Sequence, residues 1–181
     1  MKKRVKAQKN GSDDVTEIRY GIHTSPFGWC VIGLAKGGVC TLLFLESNWE
    51  REAVKRIKAS WPKAVLVRDD AGTAPYVKKI FAHSGRKLRI PLVLKGTGFQ
   101  IKVWEALLAI PEGRVTSYAD VARAIGKPSA VRAVGSACGK NTITYLVPCH
   151  RVLTSSGGLG GYNGGVERKE TILAWEAARA K

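Results

Sequence analysis

Residues 146–153 read Leu-Val-Pro-Cys-His-Arg-Val-Leu. A thiol beside an imidazole, directly after a proline bend, is what a cysteine nucleophile requires: the imidazole takes the proton and the thiolate attacks. A buried cysteine next to a half-buried histidine is also an ordinary piece of core, so Cys149 and His150 alone decide nothing. The last segment, Val166 to Lys181, has helical spacing that puts Ile172 and Leu173 on one inner face, with Glu176 on the same side. A carboxylate on an apolar face needs a partner to offset its lost hydration. His150 is the candidate, and Cys149, His150 and Glu176 would then be nucleophile, base and orienter. A free thiol is only a few per cent thiolate at neutral pH, which is why such a base matters. Spacing alone leaves a solvated Glu176 equally open.

Downstream of the cysteine, residues 155–165 are Ser-Ser-Gly-Gly-Leu-Gly-Gly-Tyr-Asn-Gly-Gly. Glycine permits tight turns and close approach of backbone to a ligand, and a plain hairpin would need fewer. Tyr162 is placed at its centre to stack on, or bond to, something flat. Upstream, Thr116 or Ser117 caps a helix that stops at Gly126, and Pro128 and Ser129 open another over 129–140. Two short helices joined by a turn containing glycine and proline read as a helix-turn-helix. On the second helix Val131, Val134 and Cys138 share an inward face. The other face carries Ser129, Arg132, Ala133, Ser136 and Lys140, with Arg132 the only long side chain in its middle. Readers of the major groove carry several long hydrogen-bonding side chains. A bare face with one arginine fits close approach to a narrow groove, or else helix packing through small residues.

The chain has 30 Lys and Arg against 14 Asp and Glu, a net charge of +16. That excess points to a polyanionic partner, nucleic acid first and an anionic membrane second. The basic N-terminal stretch has no apolar segment behind it, so residues 1–14 read as a disordered arm and not a secretory signal. No apolar run approaches the ~20 residues a membrane span needs. The expected protein is intracellular, cytoplasmic or nucleoid-associated (nuclear in a eukaryote), and monomeric. Four cysteines, Cys30, Cys40, Cys138 and Cys149, form no CxxC pair, so no metal is expected. A tight turn at Gly37-Gly38 would put Ala35 opposite Cys40 and Cys30 roughly 17 Å away along the strand. A disulfide spans only about 4.4–6.8 Å between α-carbons, so reduced thiols are expected.

Residues 15–46 alternate like strands broken at Ser25–Gly28 and Lys36–Gly38. A helix follows over 48–61 with Ala53, Val54, Ile57 and Trp61 on one face, then a short strand at 64–68 and a helix over 73–85. Residues 88–94 are apolar and end at Lys-Gly-Thr-Gly (95–98), where a domain boundary is expected, giving domains 15–94 and 95–181. Beyond it, Phe99, Val103, Trp104, Leu107 and Leu108 recur at helical spacing. The class expected is α/β.

Pro-Cys-His-Arg-Val, the following Leu-Gly-Gly-Tyr, the helix-turn-helix and the final helix together resemble the O6-alkylguanine-DNA alkyltransferases over residues 95–181, and more weakly before them. The resemblance implies a small ribonuclease-H-like N-terminal domain and a mostly helical C-terminal domain with a winged helix-turn-helix-like motif. It implies double-stranded DNA containing O6-alkylguanine as partner, minor-groove binding, base flipping, and irreversible transfer of the alkyl group to Cys149 without a cofactor, with O4-alkylthymine a further candidate substrate. His150 would deprotonate the thiol through a water while Glu176 holds the imidazole. Tyr118 would donate to guanine N3 and crowd the 3′ phosphate, Arg132 would take the flipped base's place, and Asn141 would brace the helix-turn-helix against the nucleophile. Tyr162 would line the base pocket with Gly161, Asn163 and Cys138, and the Val147 carbonyl would accept from the guanine amino group. Threonines at 142 and 144 stand where many relatives carry prolines, and Asn163 replaces a commoner serine. A lesion-binding relative without transfer activity is disfavoured by Cys149. A helix-turn-helix regulator would leave the Cys-His-Glu set unexplained, and cysteine hydrolases do not place the two residues side by side.

Overall fold

The computed structural model describes residues 5–9, 15–82 and 90–179. The chain divides into two compact units between Gly96 and Thr97, inside the Lys-Gly-Thr-Gly segment.

In the first unit, β1 (Val5–Lys9), β2 (Glu17–Ser25), β3 (Gly28–Ala35), β4 (Gly38–Phe44), β5 (Val65–Arg68) and β6 (Leu92–Gly96) make one sheet in the order β1-β6-β4-β3-β2-β5. The meander β2–β3–β4 is antiparallel, whereas β5 joins β2 and β1 joins β6 in parallel. Residues 5–9 thus correct the expectation of an unstructured arm: they pair with β6 in parallel as an edge strand of the sheet. The rest of that arm, and residues 83–85 of the second expected helix, lie outside the described residues. Alternation along β2 assigns the faces. Tyr20 and Ile22 point into a cluster with Ala53 and Ile57 of α1 (Glu50–Ser60). Gly21 faces α2 (Asp70–Phe81), where a β-carbon would lie 2.0 Å from Thr73 Oγ1. α2 begins earlier than its apolar spacing implied because Asp69 caps it by accepting from Gly72 N. The β3–β4 turn also corrects the expected register. Ala35 pairs with Gly38, not Cys40, because the turn centres on Lys36-Gly37 and a bulge interrupts the ladder at Gly33/Leu34. All four cysteines are free and buried.

The second unit is mostly helical: α3 (Gly98–Leu107), α4 (Tyr118–Ala124), α5 (Val131–Gly139) and α6 (Val166–Arg179), with a short parallel pair, β7 (Thr116–Ser117) and β8 (Val152–Leu153). Capping boxes fix the starts of α3 (Thr97 with Gln100) and α4 (Ser117 with Asp120). Gly126, at φ 71°, takes the left-handed turn that ends α4. α5 starts at Val131, two residues later than expected, with Ala130 at its cap and no side-chain cap bond. Val131 is also not inward as expected: it is 36% exposed, while Val134, Ala137 and Cys138 are buried. Being the first residue of the helix, it lies beyond the reach of the α3 and α4 core.

Trp104 ties α3 to the end of α5 by donating from Nε1 to the Ala137 carbonyl (2.9 Å). In Trp104→Phe that carbonyl keeps only its long bond from Lys140 N (3.2 Å). We expect the variant to lose roughly 1–2 kcal/mol in urea unfolding; an unchanged midpoint would show that the tether contributes nothing.

Candidate active site

The centre of the second unit is a buried carboxylate. Glu176, 1% exposed on α6, accepts from His150 Nε2 through Oε1 (2.9 Å). Arg151 grips the same carboxylate with two nitrogens, Nη2 to Oε1 (2.6 Å) and Nε to Oε2 (2.8 Å), and its Nη1 donates to the Ile110 carbonyl (2.6 Å). Burial pushes the Glu176 carboxyl up, but the bonds from His150 and Arg151 outweigh it and hold the pKa at about 2. An ionised carboxylate only accepts, so His150 Nε2 carries the ring proton and Nδ1 presents its lone pair. Nδ1 is buried with no hydrogen-bond partner among the described residues. Burial also lowers the His150 pKa, against the opposing pull of Glu176, so the ring is a neutral base at pH 7.

Cys149 opens a single 3-10 turn, Cys149–Arg151, that follows Pro148. Its side chain is 4% exposed. Asn141, two residues beyond α5, donates from Nδ2 to Cys149 Sγ (3.3 Å) and to the Val147 carbonyl (2.8 Å), and its Oδ1 accepts from Ile143 N (3.0 Å). Burial raises the thiol pKa, and the Asn141 bond and the Lys169 charge counter it. The Val147 carbonyl also accepts from Cys149 N (2.8 Å). Two donors from this chain thus already reach the oxygen expected to accept from guanine.

Around the thiol stand Tyr118, Tyr162 and Cys138. The β7–β8 pairing, Thr116 with Val152 and Ser117 with Leu153, sets Tyr118 beside the strand that leaves Cys149. Burial raises the Tyr118 pKa, with further rises from Cys138 and Cys149. A β-carbon at Gly160 would lie 3.2 Å from the Tyr118 hydroxyl, so the glycine loop passes directly over it. Tyr162 meets the His150 ring edge-on at 6.4 Å, and burial holds its hydroxyl neutral by driving the pKa well up. Gly161 and Asn163 sit on the exposed side of that loop. Arg132, Ala133 and Ser136 line the exposed face of α5, with Ser129 exposed in the turn before it. These four are exposed, whereas the thiol is buried.

Three residues of the site escaped the sequence reading. Arg151 follows His150 directly, but a cation there reads as surface charge until Glu176 is known to be buried. Lys169 is fully buried, and the i, i+3, i+7 spacing of Lys169, Ile172 and Glu176 would have found it. Tyr145 stacks on the His150 ring (5.9 Å, 15° between planes) from a left-handed backbone, φ 68°. No local pattern announces that conformation in a tyrosine.

The profile of the family described as 6-O-methylguanine DNA methyltransferase, DNA binding domain, matches residues 98–178. A methylated-DNA–protein-cysteine methyltransferase of Mycolicibacterium paratuberculosis is 48% identical over 159 residues, covering 88% of this chain and 92% of that protein. The regulatory protein ada of Salmonella typhimurium is 37% identical over 174 residues, covering 94% of this chain and 48% of that protein. The chain thus spans about half the length of that relative and of its Escherichia coli counterpart. The crystal structure of Mycobacterium tuberculosis OGT in complex with DNA superposes with a TM-score of 0.73 at 35% identity, covering 89% of this chain and 94% of that one.

The depressed Glu176 pKa has a testable sign. A group held below its unfolded pKa contributes stability above that pKa and loses it as pH falls towards the folded value. Here the window runs from 4.5 down to about 2. Glu176→Gln strands the Arg151 charge and should cost about 3–5 kcal/mol at neutral pH. Between pH 4.5 and 2 its stability should fall less steeply than that of the parent. Equal slopes in denaturant titrations across that window would show that Glu176 is not the buried anion.

Proposed function

The chain belongs to the methylated-DNA–protein-cysteine methyltransferase family, and we propose that it repairs DNA by moving one alkyl group from O6 of guanine onto Cys149. The observation that carries this reading is a buried thiol hydrogen-bonded to Asn141 (3.3 Å), beside an imidazole whose far nitrogen is held by a buried carboxylate (2.9 Å). The thiol proton passes through a water to His150 Nδ1. The sulfur lone pair forms the new C–S bond as the C–O6 bond breaks, and the electron pair left on O6 is neutralised when guanine regains a ring proton. Glu176 stabilises the imidazolium that exists in between. Displacement at carbon by a thiolate calls for no cofactor.

The partner is double-stranded DNA, bound by a monomer. Ser129, Ala133 and Ser136 are small enough for the backbone of α5 to approach a narrow groove, and Arg132 is the side chain able to enter the duplex. The target oxygen lies inside a stacked pair, so the base has to leave the helix. Tyr118, beside the path into the site, crowds the adjoining phosphate, and the extruded base is received between the glycine loop and Cys138. The net charge of +16 supplies the sequence-independent attraction, which salt should weaken steeply. A lesion-binding protein without transfer activity would have no use for an acceptor thiol so placed.

Two measurements test this reading. A thioether has no good leaving group at neutral pH, so each molecule acts once. Intact-protein mass after incubation with O6-methylguanine DNA should rise by one methyl group, mapped to Cys149. Multiple turnovers, or a methyl group on Cys30, Cys40 or Cys138, would refute the reading. Extruding a base costs a few kcal/mol, and an inserted side chain offsets that cost. Arg132→Ala should therefore slow transfer from duplex DNA strongly, at saturating protein, while hardly changing transfer from free O6-benzylguanine. Equal slowing of both would mean that Arg132 supports the fold or the pocket and has no part in extrusion.

A further inference from the structure

Lys169 is a lysine with no exposed surface. It lies on the inner face of α6, one turn before Ile172 and two before Glu176, and among the described residues no carboxylate pairs with it. Removing an ammonium from water without a counter-charge is expensive, and two carbonyls offset only part of that cost. Nζ donates to the Val152 carbonyl (2.6 Å) and to the Leu159 carbonyl. Val152 begins the strand directly after the Cys149 turn. Leu159 sits in the glycine loop, three residues before Tyr162. One ammonium thus ties the segment bearing the thiol to the loop that covers it, and its charge is felt at both Cys149 and Cys138.

We propose that Lys169 is a positioning residue for the thiol chemistry: its ammonium clamps the glycine loop to β8 and supplies the positive charge against which Cys149 ionises. The groups that face Cys149 single out this lysine. Cys138 on α5, Tyr118 on α4 and Tyr162 on the loop are neutral at pH 7. His150, in the same turn, is neutral until it takes the proton. Glu176 and Arg151 lie behind His150 and largely cancel each other. Asn141 donates a hydrogen bond but carries no charge. Among the described residues Lys169 is left as the cation whose field lowers the cost of a thiolate in a buried site.

The proposal rests on Cys149 being the alkyl acceptor, but its test does not use alkylguanine, so the two can fail separately. The rate of Cys149 alkylation by iodoacetamide, located by peptide mass and followed against pH, reads the thiol's titration directly. Lys169→Gln keeps an amide N–H donor group and loses the charge. Lys169→Met loses both. Both variants should move the Cys149 titration up by about one unit or more, roughly tenfold slower labelling at neutral pH. Lys169→Met should in addition lose amide hydrogen-exchange protection in residues 155–165, which Lys169→Gln keeps in part. A Cys149 titration unmoved in either folded variant overturns the charge role, and unmoved loop protection in Lys169→Met overturns the clamp. If neither variant folds, coupling in the unmodified protein decides, because it is reciprocal. The Lys169 Nζ resonance should shift as Cys149 titrates and lose that step once Cys149 is methylated. A resonance indifferent to Cys149 overturns the proposal.

Discussion

An ionised carboxylate can sit inside a protein only if donors surround it, and Glu176 draws them from the turn that bears Cys149 and from the turn after α3. Arg151 and His150 come from the 3-10 turn that presents Cys149, and Arg151 continues to the Ile110 carbonyl. Gly113 N, in the turn after α3, approaches the same carboxylate at 3.4 Å. The carboxylate thereby fixes α6, the nucleophile turn and the turn that leads into β7 around one point. It also decides which imidazole nitrogen holds the proton. Removing one partner of such a set costs far more than the set contributes net, because the remaining charges stay buried. The electrostatics and the local fold are for this reason the same constraint seen twice.

The thiol faces opposed demands. Burial keeps it from adventitious chemistry and raises the cost of its charged form. Asn141 and Lys169 answer with a hydrogen bond and a charge, and the neutral imidazole gives the proton somewhere to go. The ring itself has little freedom, since Tyr145 lies flat against one face and Tyr162 meets it edge-on. Holding Tyr145 at φ 68° costs about 1–2 kcal/mol for a residue with a β-carbon. Strain of that size in a tyrosine over the His150 ring is spent on the ring's orientation, a price the surrounding packing has to cover.

Much of this was legible in the chain. Strand alternation over 15–46, the helix of Ala53 and Ile57 and the helix of Val103, Trp104 and Leu107 follow from hydrophobic period alone, and with them the α/β class. The cap at Ser117 and the stop at Gly126 could be read because the chemistry of a helix end is local. What failed to show depended on long-range pairing. Val5–Lys9 became a strand only because β6 offers an edge, the β3–β4 register depended on a bulge, and Val131 is exposed because of where the α5 core ends. At the site, types and spacing pointed to Cys149, His150 and Glu176. Arg151 and Lys169 read as surface charge, because charged residues are usually solvated and only the fold shows that these two are not. The donors already on the Val147 carbonyl did not show either, because a carbonyl's partners are set by the folded turn.

Under the proposed function, recognition and chemistry share a mechanical link through Asn141. It follows the last turn of α5 by two residues, and α5 presents Arg132 and the small residues to the duplex. Its own side chain touches both the turn before the nucleophile and the thiol sulfur. Trp104 anchors the end of the same helix through the Ala137 carbonyl, so α5 cannot shift along its axis without moving Asn141. A rigid connection suits a protein that acts once. The cost of organising the site is met on folding, before any lesion is found, and none of it has to be recovered after the alkyl group has arrived. The same rigidity sets a limit: a thioether carbon on Cys149 must fit where Asn141 Nδ2 already lies 3.3 Å from the sulfur. Alkylation therefore presses on the end of the helix that holds the DNA, and the spent protein has a physical reason to bind less firmly than the fresh one.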